Sequence, residues 1–126
     1  MSREPVSTAA APAAIGTYSQ AIRHGGLLFV SGQIPLDPAS GALCGDTIEG
    51  QIRQVFDNLR AVTEAAGTSL AQALKVTLYL VDLEHFALVN QIMAEYFPEP
   101  FPARAAVGVA SLPKGAQVEA DAIVAC

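Results

Sequence analysis

Ile48, Ile52, Val55, Phe56, Leu59 and Val62 recur at spacings of three and four, which puts them on one face of a helix. A helix with a single apolar stripe must lay that stripe against another element, so this feature fixes a layered fold. Asp46 with Glu49 three residues on fits a capping box at its start, and Gly67 fits the left-handed residue at its end. Leu74, Val76, Leu78 and Leu80 then alternate with Lys75, Thr77, Tyr79 and Val81, the period of a strand with two unlike faces. A second helix follows, capped by Asp82. It carries Phe86, Val89, Met93 and Tyr96 on one side and is stopped by Pro98, Pro100 and Pro102.

Four more strands frame this centre. Ser19–Arg23 and Leu27–Ser31 flank the turn signal Gly25-Gly26, and the run Leu27–Val30 is apolar throughout, as in a strand buried on both faces. Arg104–Ala110 and Gln117–Val124 are joined by Ser-Leu-Pro-Lys-Gly. The order β-β-α-β-α-β-β predicts an α+β fold in one domain over residues 15–126, with one mixed β-sheet and both helices on one face. Residues 1–14, rich in Ala, Pro and Ser, are expected to be loose. The other sheet face, to which Tyr79, Val81, Ala106, Gly108 and Ala110 are assigned, would be an exposed apolar patch. A partner subunit in a closed ring is the simplest cover.

Composition excludes several functions. Seven Lys and Arg against twelve Asp and Glu give a net charge of −5, which argues against a nucleic-acid or anionic-membrane surface. A small anion held by one Arg remains compatible. Cys44 and Cys126 are far apart, and His24 and His85 lack ligand spacing, so neither a disulfide framework nor a metal site is expected. No segment approaches the roughly 20 apolar residues of a membrane helix, and the N-terminal stretch has no signal-peptide core. The expected setting is a reducing cytoplasm.

Among five arginines, only Arg104 opens a mostly apolar strand, Ala-Ala-Val-Gly-Val-Ala. A partly desolvated guanidinium there needs an anion, and its planar fork suits a carboxylate or phosphate. The alternative is a structural pair with a protein carboxylate or a cap on sheet-edge carbonyls. Glu119 and Asp121 share the strand face opposite Val118, Ala120, Ala122 and Val124. Either they are solvated, or one of them positions a water for attack on a polar carbon. Tyr18 and Ser31 offer hydroxyls beside the first hairpin, and Gly32 after Ser31 permits close approach to the backbone. Asn90 sits inside the second helix, either on its surface or towards a cleft. Neither a nucleophile elbow nor a phosphate-binding loop is present.

Six segments together resemble one family. They are Pro-Ala-Ala-Ile-Gly-Thr-Tyr-Ser-Gln-Ala (12–21), Val-Ser-Gly-Gln-Ile-Pro (30–35), Gln-Val-Phe-Asp-Asn-Leu (54–59), Val-Asp-Leu-Glu-His-Phe-Ala-Leu-Val-Asn (81–90), Phe-Pro-Ala-Arg-Ala-Ala-Val (101–107) and Leu-Pro-Lys-Gly-Ala-Gln-Val-Glu (112–119). In this order they resemble the RidA (YjgF/YER057c/UK114) family of reactive imine deaminases. The resemblance implies a chorismate-mutase-like fold and a homotrimer with a ligand cleft at each subunit interface. It also implies hydrolysis of 2-imino acids and enamines, such as 2-aminoacrylate and 2-iminobutanoate, to 2-oxo acids and ammonia, with no metal or cofactor.

Carried over by motif, Arg104 matches the carboxylate-binding Arg and Glu119 the acid that holds the attacking water. Tyr18, Ser31 and Asn90 match other cleft residues, and Glu119 is expected near Arg104, the two pairing when the site is empty. Thr17 stands where many members have Pro, Ala106 where some have a reactive Cys, and Ala120-Asp121 where Ile-Glu is more usual. The competing functions are a non-catalytic small-ligand-binding or chaperone-like trimer, and a ribonuclease. The acidic charge and the absence of a His pair weigh against the last.

Overall fold

The computed structural model describes residues 2–126. The stripe read from sequence becomes helix α1 (Ile48–Ala65), in which Ile52, Val55, Phe56, Leu59 and Val62 are fully buried. Its cap is Thr47 in place of the expected Asp46: the Thr47 hydroxyl accepts from the Gly50 N–H at 3.1 Å. Gly67 ends the helix as expected, at φ +83°, and the Thr68 N–H reaches back to the Thr63 carbonyl at 3.1 Å. Asp82 caps a single 3₁₀ turn, Leu83–His85, which then feeds helix α2 (Phe86–Tyr96).

The strands are β1 (Glu4–Val6), β2 (Ala21–His24), β3 (Leu27–Gln33), β4 (Ala73–Leu80), β5 (Ala103–Gly108) and β6 (Val118–Ala125). They form one mixed sheet in the order β1-β2-β3-β6-β4-β5, parallel only between β4 and β5. Both helices lie on one face, where Phe56 packs against Tyr96 and edge-on against Phe97, ring centroids 5.3 and 5.5 Å away.

Two expectations are corrected. Residues 1–14 are not uniformly loose: β1 pairs with β2, and Ala11 is buried. Gln20 makes this possible, because its amide accepts from the Thr8 N–H and donates to the Thr8, Ala11 and Pro12 carbonyls. The sheet faces also differ from the reading of β5. Pairing of Ala106 with Leu78 and Gly108 with Leu80 puts both on the helix side, while Ala105 and Val107 join Thr77 and Tyr79 on the open face. Ala110 lies beyond the strand.

The open face is apolar at its margins and polar at its centre. Phe29 is 43% and Val107 41% exposed, with Leu27 beside Phe29, so the Leu27–Val30 run is buried on one face only in the single chain. Glu119, Asp121, Thr77 and Tyr79 occupy the middle.

Arg23, on β2, donates to the carbonyl of Ala66, the residue after α1, which has no basic residue in its own last turn. Buried Asn58 of α1 donates to the Leu36 carbonyl at 3.0 Å and the Ile34 carbonyl at 3.3 Å, while its own carbonyl accepts from Gln54 at 2.8 Å. Asn58→Ala removes the side-chain donor to the Leu36 carbonyl and the acceptor for Gln54, while the Ile34 carbonyl keeps the Leu36 N–H at 2.7 Å, and a loss of about 1–3 kcal/mol in unfolding free energy is expected. Urea denaturation at fixed protein concentration measures it; an unchanged midpoint would refute the role.

Candidate functional site

The close approach of β6 to β3 explains where Glu119 sits. The β3–β6 register slips between Val30 and Gln33, leaving Ser31 and Gly32 outside the regular ladder. The Glu119 carboxylate rests in the space this opens: a Cβ on Gly32 would collide with its Oε2 atom. A larger residue at position 32 would have to push the Glu119 carboxylate, the free end of a flexible side chain, out of this place. Half burial raises the Glu119 pKa above the ordinary carboxylate range, and the nearby Asp121 charge raises it further.

Glu119 lines a cavity of about 460 Å³ with Tyr18, Ser31, Gly32 and Lys114. Tyr18 is 52% exposed. The Ser31 hydroxyl donates to the Ser19 carbonyl at 2.6 Å, so its lone pairs are what it can offer a ligand. Pro12, Ala13 and Ile15 form one wall, carried there by the segment that Gln20 anchors. Lys114, at φ +58°, closes the opposite rim and donates to the Gly41 carbonyl at 3.1 Å.

Arg104 and Asn90 lie elsewhere. They share a smaller cleft of about 290 Å³ with Met93, Ala94, Phe101 and Pro102. Arg104 pairs with Val76 across β4, so its side chain leaves the helix face of the sheet and meets α2. One guanidinium nitrogen donates to Asn90 Oδ1 at 2.7 Å and lies 3.8 Å from the Met93 sulfur. The guanidinium carbon stands 4.7 Å from the centre of the Phe86 ring. Among the described residues no carboxylate comes within ion-pair distance of Arg104.

The expected Arg104–Glu119 pair is thus not formed within one chain. Glu119 pairs with Tyr79, and Tyr79 with Val107, three residues along β5 from Arg104. That separates the two residues by about 10 Å along the strands and about 10 Å across them, on opposite faces. The structure brings Tyr18, Ser31 and Glu119 together, and Asn90 with Arg104, as two separate groups.

Several residues around these groups carried no role in the sequence reading. Gln20 and Asn58 are amides inside apolar patterns, and a buried amide has no periodic signature. Phe86 reads simply as part of the α2 stripe. Lys114 stands in a Pro-Lys-Gly turn, where the left-handed backbone is a property only coordinates reveal. Among the described residues no three His, Cys, Asp or Glu side chains gather in a way that could hold a metal ion, and no helix is long and apolar enough to cross a membrane.

Known proteins resemble this chain over its whole length. The sequence model of the family described as Endoribonuclease L-PSP matches residues 8–126. A RutC family protein of Pyrococcus horikoshii is 50% identical over 121 residues, 96% of each chain. The 2-iminobutanoate/2-iminopropanoate deaminase of Bos taurus is 44% identical, over 96% of this chain and 88% of its own. The crystal structure of RidA from an Antarctic Psychrobacter superimposes with a TM-score of 0.94 at 44% identity, covering 98% of this chain and 100% of its own. With the order of its motifs, its sheet topology and these similarities in agreement, the chain belongs to the Endoribonuclease L-PSP family, the YjgF/RidA family that its sequence resembles.

Proposed function

We propose that this chain hydrolyses reactive 2-imino acids and their enamine tautomers, such as 2-aminoacrylate and 2-iminobutanoate, to 2-oxo acids and ammonia, acting as a cytoplasmic homotrimer without metal or cofactor. The observation that carries the reading is Arg104, a guanidinium steadied on Phe86 and Asn90 with no acidic partner among the described residues. Asn90 occupies one of its nitrogens, and the remaining N–H groups can take a substrate carboxylate. The naming of a 44% identical relative as a 2-iminobutanoate/2-iminopropanoate deaminase supports the same substrate class.

The two groups on opposite faces of one chain become one site if neighbouring subunits supply them: Arg104 and Asn90 from one, Tyr18, Ser31 and Glu119 from the next. The open, partly apolar sheet face supports such an assembly, since it needs cover. Arg104 then anchors the carboxylate. Glu119, ionised, accepts a proton from water as the water oxygen attacks C2 and passes that proton to the imine nitrogen, which leaves a neutral carbinolamine and an ionised Glu119. Ser31, already donating to the backbone, accepts from the imine N–H. Collapse of the tetrahedral carbinolamine forms the carbonyl, breaks the C–N bond and releases ammonia. The C=N carbon is electrophilic from the start, so positioning and proton transfer suffice.

The family description names an endoribonuclease, which favours RNA cleavage as a second reading; the −5 charge opposes it. A coupled assay separates the classes: threonine, a threonine dehydratase and semicarbazide, with and without this protein. Less semicarbazone on adding protein is expected. Unchanged semicarbazone would reject deamination and favour ligand binding alone.

Three outcomes are expected. Light scattering in dilute buffer gives about three times 13.1 kDa, and a monodisperse monomer at micromolar concentration would reject the shared site. Arg104→Ala removes two charge-assisted hydrogen bonds, about 3–6 kcal/mol or roughly 10² to 10⁴ in kcat/KM, and Arg104→Lys recovers only part. Near-parental kcat/KM in a folded Arg104→Ala trimer would refute the anchor. Glu119 must be ionised to act as a base, and its pKa is raised. Activity therefore falls as pH drops, with a midpoint above the ordinary glutamate range, and Glu119→Gln abolishes that limb with a loss of about 10² to 10⁴. A limb that persists unchanged in Glu119→Gln would assign it to another group.

A further inference from the structure

The centre of the open face holds two carboxylates and one phenol. Glu119 and Asp121 are two apart on β6 and point the same way. Tyr79 of β4 stands directly opposite Glu119 in the register, yet its hydroxyl reaches diagonally and donates to Asp121 Oδ2 at 2.8 Å. Among the described residues no hydrogen bond ties the Glu119 carboxylate, which lies over Gly32 at the cavity wall. One of the two acids is held and the other is left to exchange protons.

We infer that Tyr79 and Asp121 are positioning residues that fix Glu119 as the proton-exchanging carboxylate of the cavity. The inference rests on the deaminase reading for its consequence in the reaction and on the β4–β6 geometry for its physical content. The Glu119 pKa is raised by its burial and then by the charge of Asp121 on the same face, so what holds Asp121 in place bears on Glu119. Tyr79 does the holding: its hydroxyl occupies Asp121 Oδ2 and keeps that carboxylate on the face beside Glu119 when it could otherwise swing to water. Tyr79 itself is pushed up to about 12 by its bond to Asp121 and by burial, so it stays a donor across the working range.

The other titratable and charged groups facing Glu119 can be named. On β4, Lys75 pairs with Ile123, beyond Asp121 along the same face. Lys114 stands at the cavity rim, engaged with Gly41, and Tyr18 borders the cavity from the N-terminal side. From β3, Ser31, Gly32 and Gln33 line the cavity, and none of them titrates in this range. Asp121 is the acid among these that shares Glu119's strand and face, so it is the charge that Glu119 senses most directly.

The test is the carbon-13 titration of the Glu119 side-chain carboxyl by NMR in the folded protein, assigned by its absence in Glu119→Gln, alongside the pH profile of kcat/KM. In Asp121→Asn the Glu119 midpoint should move down towards the ordinary glutamate range. In Tyr79→Phe, which keeps the ring and its packing, it should move the same way by a smaller amount. Asp121→Glu, which keeps the charge, should restore most of the shift. The acid limb of kcat/KM should move with the NMR midpoint in each variant. A midpoint unmoved in both Asp121→Asn and Tyr79→Phe would overturn the inference, as would a midpoint that moves while the limb stays. If the parent protein shows no deamination, the proposed function fails, whereas the NMR titrations still decide whether Tyr79 and Asp121 govern Glu119.

Discussion

The register of β6 governs this molecule. The last strand in the sequence lies in the middle of the sheet, antiparallel to β3 on one side and to β4 on the other. Val118, Ala120, Ala122 and Val124 are buried beneath the helices, and Glu119, Asp121 and Ile123 point the other way. A slip of one residue would drive two carboxylates into the apolar core and turn the core residues to the open face, so the register is specified strongly. The same alternation that secures the core thereby delivers both acids to one face, and the bulge in β3 opposite them opens room for Glu119.

The separation of Arg104 from Glu119 follows from this arrangement. Arg104 lies on the edge strand, on the face the helices cover, because its neighbour on β4 is Val76 of the core set. No side-chain rotation carries a guanidinium through the sheet to the other face. If the two residues serve one reaction, different copies of the chain must supply them. That requirement and the exposed apolar rim of the open face support the proposed assembly from independent starting points, one from chemistry and one from the hydrophobic effect.

Much of this was legible in the amino-acid pattern. The α1 stripe, the β4 alternation, the order of elements after residue 18 and the shared face of Glu119 and Asp121 all follow from periods of 3.6 and 2. What was not legible has common physical causes. The faces of β5 were misassigned because Ala105 to Gly108 are all small or apolar, so neither face carries a polar mark; only pairing with β4 settles it. The cap moved from Asp46 to Thr47 because two adjacent residues both suit the role. Strand β1 was missed because three residues carry too little pattern, and its docking depends on Gln20, a distant amide. The split of the five candidate residues into two groups was hidden because motifs list residues in one dimension and do not say which side of a sheet they leave.

Charge pairing separates Arg104 from the two arginines on the helical surface. Arg53 pairs with Glu49 and Glu95, and Arg60 with Asp57, all on the outer surface of the helices. Arg23 donates to the carbonyl at the end of α1 and Lys114 to that of Gly41. Exposed ion pairs of the first kind contribute little to stability, and their loss is tolerated. Arg104 differs because a chain with net charge −5 has ample acid to neutralise it, yet offers it a neutral amide and an aromatic ring. Those partners orient a guanidinium without cancelling its charge. A structural arginine gains most from a carboxylate, whereas one that must bind and release an anion gains from having none nearby. The neutral partners around Arg104 fit the second kind, and they support the carboxylate-anchoring role proposed for it.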